Sequence, residues 1–373
     1  MKRLLLLFIL LLAACSPQAT ATPQANEPPS AVPQATVPPA TEAPTSTEPQ
    51  TLTVMTHDSF AVSEEVVKAF EDANNARVVF LQSGDAGAVL NKAILTRDAP
   101  LADVLFGVDN TFLSRALEAD IFEPYESPAL QEISADYKLD ASNRALPVDY
   151  GDVCINYDKA YFTEKNLAVP QNLDDLIKPE YKDLLVMENP ATSSTGLAFL
   201  LATVAYYGDT FTAYWQALKD NGVVVVDGWE TAYYTNFSAS SGKGPQPMVV
   251  SYGTSPAAEV IFANPPITDA PTASILGMDT CFRQIEFVGI LKGASQARQR
   301  ALAEKFVDFM LSQQFQEDMP LQMFVYPVNP NAKLPDEFTK YAQAPEQAAK
   351  LDPDLIAKNR DAWIQAWTDV VLK

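Results

Sequence analysis

Residues 51–110 read TLTVMTHDSF AVSEEVVKAF EDANNARVVF LQSGDAGAVL NKAILTRDAP LADVLFGVDN, and the rhythm of this stretch decides the fold. Leu52-Thr53-Val54-Met55 is a short strand. Ser63 stands where a helix cap would, ahead of Val66, Val67 and Phe70 at helical spacing. Val78-Val79-Phe80-Leu81 is the next strand, and Ala88 to Thr96 reads as a helix. Val104-Leu105-Phe106 follows as a strand, then Phe112 to Ala119 as a helix. Such alternation predicts an α/β layer with a largely parallel sheet.

The same rhythm resumes after Asp149-Tyr150-Gly151. Leu184-Leu185-Val186-Met187, Val223 to Val226, Met248-Val249-Val250-Ser251 and Gln284-Ile285-Glu286-Phe287 read as strands. Helices are predicted from Thr195 to Tyr206, Ser295 to Leu311 and Asp354 to Leu372, the last with Trp363 and Trp367 as packing residues. Ser238 to Pro247, rich in Ser, Gly and Pro, is expected to be an exposed loop. No internal repeat is visible.

Outward from this core, the N-terminus carries an address. Lys2 and Arg3 precede an apolar run, Leu4 to Leu12, and then Ala13-Ala14-Cys15, the pattern of a secretory signal. The run is shorter than the roughly 20 residues a spanning helix needs. Leu12-Ala13-Ala14-Cys15 resembles a bacterial lipobox, which makes 1–15 a signal peptide ending at a lipidated Cys15. Residues 16–50 hold nine prolines and no aromatic, Leu, Ile or Met. They cannot repay the entropy of folding and are expected to form an extended tether. The expected location is extracytoplasmic, lipid-anchored to the cell membrane, in the periplasm or at the cell surface.

Over 373 residues, 26 Lys+Arg stand against 47 Asp+Glu, a net charge of −21. That excludes a nucleic-acid binder, which needs a basic face, and docking on an anionic bilayer through a polybasic patch. A hydrophobic fraction of 47% is enough for a real core. One histidine and three cysteines leave a His-based triad or a His/Cys zinc cluster hard to assemble. No metal, no cofactor and no catalytic residue is expected.

Polar and aromatic residues gather at the carboxyl ends of the strands, where open α/β sheets bind ligands. His57, Asp58, Ser59 and Phe60 follow the first strand, Ser83, Gly84 and Asp85 the second, and Gly107, Asp109 and Asn110 the third. Thr192 to Thr195 precede a helix, Asp227, Gly228 and Trp229 follow a strand, and Ser251 to Ser255 close another.

Seven segments in order make the chain similar to thiamine-binding proteins of bacterial ABC import systems, within the type II periplasmic binding protein fold. They are Thr56-His57-Asp58-Ser59-Phe60, Gly107-Val108-Asp109-Asn110, Val148-Asp149-Tyr150-Gly151, Thr192-Ser193-Ser194-Thr195-Gly196, Gly228-Trp229-Glu230-Thr231-Ala232-Tyr233, Ser251-Tyr252-Gly253-Thr254-Ser255-Pro256 and Tyr326-Pro327-Val328. The resemblance implies an α/β fold of two lobes, each a mixed sheet flanked by helices, with the ligand cleft between them. Lobe one would take 51–147 and 282–373, lobe two 148–281. It further implies a monomer that captures thiamine, a thiamine phosphate or a close analogue and passes it to an ABC permease without turnover.

Carried over residue by residue, the resemblance puts Asp58, Ser59 and Asp85 on the lobe-one side, with His57 in the first loop; Asp109, after the third strand, is a further candidate. Ser193 would donate to the hydroxyl or phosphate end of the ligand, and Trp229, Tyr233, Tyr252, Ser255 and Phe324 would complete the wall. His57 stands where the family has tyrosine, Phe324 where it has tryptophan, and Ala258 where it has tyrosine. Each position also has a structural reading. His57 fits a half-buried strand-end turn, Asp58-Ser59 a turn cap, Asp109 and Ser193 to Thr195 helix caps, and Trp229, Tyr252 and Phe324 packing. Cys154 and Cys281 lie near the expected lobe crossovers, as a disulfide or as two buried thiols. Two other functions remain open: a ferric-ion protein of the same fold using tyrosines, and an exported thiamine-processing enzyme. The enzyme would need a base beside Cys154 that a single histidine hardly supplies.

Overall fold

The computed structural model describes residues 48–239, 243–277, 280–293, 297–349 and 351–373. The signal, Cys15 and nearly all of the tether lie outside the described residues. Eleven strands are found among them: β1 Gln50–Thr56, β2 Ala76–Gln82, β3 Val104–Asp109, β4 Phe122–Glu123, β5 Leu146–Asp158, β6 Leu185–Glu188, β7 Val224–Val226, β8 Met248–Tyr252, β9 Thr272–Ile275, β10 Phe282–Leu291 and β11 Tyr326–Pro327.

They join in one sheet of order β2-β1-β3-β10-β5-β8-β6-β7, with β4 on β10 and both β9 and β11 on β5. The flanks, β2-β1-β3 and β8-β6-β7, are parallel, because each strand returns through a helical crossover. The centre is antiparallel: β10 runs against β3 and β5, and β5 against β8. The expectation of a largely parallel sheet therefore holds only at the flanks. Strands β5 and β10 link the two flanks, β10 running against β3 of the first and β5 against β8 of the second.

Hydrophobicity explains the helix placement. From Ser194 to Val204 every residue of the helix Ser194–Tyr207 is buried, as expected for a helix that is apolar all round. Trp215, on the helix Phe211–Asp220, meets Trp367 of the C-terminal helix Pro353–Val371 edge to face at 5.8 Å. The same C-terminal helix reaches the other flank, where Arg360 Nη1 donates to Ser114 Oγ at 3.1 Å.

Two local expectations are corrected. Ser63 occupies the cap position, but its side chain makes no capping bond; its backbone N–H donates to Asp318 Oδ2 at 2.8 Å. Of the stretch Ser238 to Pro247, the described residues are not simply exposed, since Ala239, Gln246 and Pro247 are buried. A bridge between Phe237 and Gln246 draws this stretch inward, and Phe237 is buried beside Tyr233 and Val249. Sulfur atoms of Cys154, on β5, and Cys281, just before β10, form a disulfide.

Candidate functional site: a cleft between the two flanks of the sheet

The loops after β1, β2, β7 and β8 converge on a cavity of about 340 Å3. From the β1–β2 side come His57, Asp58, Ser59 and Asp85; from the other side come Ser194, Thr195, Trp229, Tyr252 and Ser255. Phe324 closes it from the segment preceding β11. Of the residues singled out in the sequence, these sit together. Asp109, Ser193 and Tyr233 do not line this cavity.

His57 follows β1 directly and is 7% exposed. It lies over Gly107, whose φ is +100° and where an added Cβ would collide with His57 Cδ2. This is a place where only glycine fits. The Nε2 of His57 is 3.4 Å from Glu286 Oε1. Burial opposes the imidazolium, but the carboxylates of Glu286, Asp85 and Asp58 together outweigh it and the His57 pKa is raised above 6.5.

Asp85 caps the helix Ala86–Leu95, its Oδ1 accepting from the N–H of Ala86 at 2.6 Å. Its Oδ2 accepts from the N–H of Trp229, on the opposite side of the cleft, at 3.0 Å. Burial raises its pKa, and the hydrogen bonds from Trp229, Ala86 and Ser193 work against that rise. Nearby, the N–H of Gly87 donates to Thr192 O at 3.0 Å. These two bonds hold the loops together over the cavity.

Trp229 lies on Tyr233 with centroids 4.9 Å apart and planes 18° from parallel, and its Nε1 donates to Ser251 Oγ at 2.9 Å. Tyr252 passes over Gly151, where a Cβ would meet Tyr252 Cδ1 at 2.8 Å. Its hydroxyl donates to Gln284 Oε1 at 3.0 Å, and the Nε2 of Gln284 donates to Ser194 Oγ at 2.9 Å. Phe324 adopts φ +60°, a left-handed conformation that residues other than glycine enter at a cost. Its ring meets Phe262 edge to face at 5.0 Å.

The three displaced residues have defined places. Asp109 is fully buried, and its Oδ1 accepts from Thr111 and Phe112, the capping role that its position allows. Burial first, and then the charge of Glu286, raise its pKa to about 7. Ser193 is fully buried at the start of its helix, with Oγ 3.0 Å from Thr195 Oγ1. Tyr233 faces a second cavity of about 650 Å3 behind Trp229, beside Glu259, Ala258 and Phe262, and donates its hydroxyl to Glu259.

Sequence reasoning missed Glu230, Phe262 and Glu286, all of which line the first cavity, as does Tyr234. Glu286 had a signal: an acid inside the apolar run Ile285-Glu286-Phe287-Val288 must be accounted for. Glu230 sat within a recognised segment and faces Asp58 and Asp85, whose charges add to burial in raising its pKa. Four carboxylates, those of Asp58, Asp85, Glu230 and Glu286, thus border the cavity with the rings of Phe60, Trp229, Tyr234, Tyr252, Phe262 and Phe324. Among the described residues no Lys or Arg lines it.

A two-flank α/β sheet with a cavity between the flanks is an architecture found among solute-binding proteins. The family model described as bacterial extracellular solute-binding protein matches residues 99–358, and the chain belongs to that family. It is 32% identical over 86% of its length to the thiamine-binding periplasmic protein of Salmonella typhimurium, covering 93% of that protein. To the thiamine-binding periplasmic protein of Brucella suis it is 31% identical over 85% of its length, covering 91% of the relative. A solved periplasmic thiamin binding protein superposes with a TM-score of 0.75 at 30% identity, over 87% of this chain and 96% of that one. The two-lobed type II architecture is therefore the fold of this chain.

Proposed function

We propose that the cleft captures thiamine, or a close relative of it, outside the cytoplasmic membrane and delivers it to an ABC permease. One observation carries the reading: four carboxylates and the rings of Trp229, Tyr234, Tyr252 and Phe324 border one cavity that, among the described residues, has no basic side chain but His57. Thiamine is a flat aminopyrimidine joined to a thiazolium of fixed positive charge. Such a cation gains about 0.5–2 kcal/mol from an aromatic face and more from an ionised carboxylate beside it. The thiamine-binding relatives point the same way. Against a ferric ion, two of the tyrosines at hand are engaged elsewhere, Tyr252 with Gln284 and Tyr233 with Glu259.

The reading extends to organisation. Lobe one takes 51–147 and 282–373 and lobe two 148–281, supported by β5 and β10 as the strands that cross between the flanks. The C-terminal helix packs on both, which makes it a strap as well as a lobe-one element. Cys15 carries a lipid anchor, residues 16–50 give reach, and the protein acts as a monomer that binds without turnover.

Native mass spectrometry of protein released gently from membranes tests the ligand: a retained mass equal to thiamine or its phosphate supports the reading, and a retained metal or anion overturns it. Consumption of thiamine in proportion to protein concentration would instead establish an enzyme. Cys15→Ala should move the protein out of the membrane fraction; retention after a high-salt wash removes the anchor.

A further inference from the structure

Three acids stand side by side across the centre of the sheet. Glu286 on β10 pairs in register with Asp109 on β3 and with Asp149 on β5. Asp109 and Asp149 are fully buried and Glu286 is 5% exposed. Only Glu286 reaches the cavity. Neither oxygen of Asp149, nor Oδ2 of Asp109, receives a hydrogen bond from a donor among the described residues. The group facing Asp149 is the Glu286 carboxyl itself.

Three buried carboxylates in a row cannot all ionise; like charges at this spacing share protons. His57 from the loop after β1 and Tyr252 from β8 also face Glu286, alongside Asp109 and Asp149. The adjacent base on β10, Arg283, is taken by Asp152 through two bonds of 2.8 Å. No cation but His57 therefore answers the row from the described residues.

Resting on the thiamine reading, we infer that Glu286 is the residue that recognises the ligand's cationic ring from the floor of the cleft, with Asp109 and Asp149 holding protons beside it. Neutral flanks lower the cost of keeping one charge on Glu286, and a protonated Asp149 can donate to it. A cation arriving above Glu286 favours the ionised row, so binding expels part of a proton to solvent, and affinity rises with pH through neutrality. Burial and the charge of Glu286 both lift Asp109 and Asp149 above the usual carboxylate range, which agrees.

The test is calorimetry of the full chain with thiamine near neutral pH, in two buffers of different ionisation enthalpy, so that proton release is read separately from heat of binding. The wild type is expected to release a fraction of a proton. Glu286→Gln should bind about ten- to a hundredfold more weakly and release none. Asp149→Asn, which keeps a donor for Glu286 but has no proton to lose, should release less. Three results overturn the inference: wild-type binding with no proton movement between about pH 6 and 8, Glu286→Gln affinity within threefold of wild type, or release that survives both variants and vanishes in His57→Gln. If Glu286→Gln does not fold, the wild-type and Asp149→Asn proton counts still decide. A wild type that binds no thiamine at all defeats the parent reading instead.

Discussion

Asp85 and Trp229 meet across the cleft: the carboxylate that caps the helix Ala86–Leu95 accepts, through its other oxygen, the backbone N–H of Trp229 at 3.0 Å. One side chain thereby ends a helix on one flank of the sheet and latches the opposite flank. Asn at this position can keep the cap but not both acceptors, and it removes the charge. Asp85→Asn should weaken thiamine binding by about ten- to a hundredfold and lower the melting temperature of the unliganded protein only modestly, since the cap survives while the bond from Trp229 N–H is lost. Affinity equal to wild type, measured by calorimetry, would place the ligand elsewhere.

Trp229 offers its ring to the cavity while lying on Tyr233 and bonding Ser251. Trp229→Ala should lose both stacking and packing, lowering affinity and costing about 1–3 kcal/mol of folding stability, because the side chain is only partly buried. Trp229→Phe keeps a ring but not the Nε1 donor, and should recover most of the stability. Denaturant titrations of the two variants, set beside their affinities, separate wall from filler.

For Asp109 the direction of the pH effect follows from its raised pKa. The folded chain keeps a proton on Asp109 up to about pH 7, whereas the unfolded chain loses it near the ordinary value of 3.8. The folded state thus binds more protons in that window, and stability falls as pH rises through it. Asp109→Asn retains an acceptor for Thr111 and Phe112 without the charge. Relative to that variant, the wild type should lose about 1.4 kcal/mol per pH unit between roughly pH 4 and 7. Parallel stability curves for the two proteins would contradict this.

The disulfide between Cys154 and Cys281 closes a loop with a sequence separation of 127 residues. Cross-links of this kind typically contribute about 2–4 kcal/mol. A Cys154→Ser, Cys281→Ser double variant should unfold at lower denaturant by that margin, and reductant should bring the wild type towards it while leaving the variant unchanged.

Much of the fold is legible in the amino-acid order alone. The alternation from Leu52 to Ala119 marks out the strands and helices of the first flank in their order, with strand ends up to three residues beyond those read, because each strand there is apolar and followed by a polar loop. The reversal at the centre is not legible: nothing in Gln284 to Phe287 tells a strand to run against its neighbours, which depends on where the chain re-enters the sheet. Loop residues such as His57, Asp58, Ser59 and Asp85 can be grouped from strand ends alone. Asp109 and Ser193 cannot be separated from that group, since a cap facing inward and a ligand contact facing outward share the same local sequence. Glu286 escapes because its meaning lies in Asp109 and Asp149, which are adjacent only through strand register.

The acidic rim of the cleft also bears on how fast a ligand is caught. Asp58, Asp85 and Glu230 border the cavity on a chain with a net charge of −21, so the potential there draws small cations inward before any contact is made. Electrostatic steering of this type raises encounter rates by about 10- to 1000-fold and fades steeply with ionic strength. A cationic nutrient at scarce concentration would reach this mouth faster in dilute water than in brine, and the advantage would appear in the association rate.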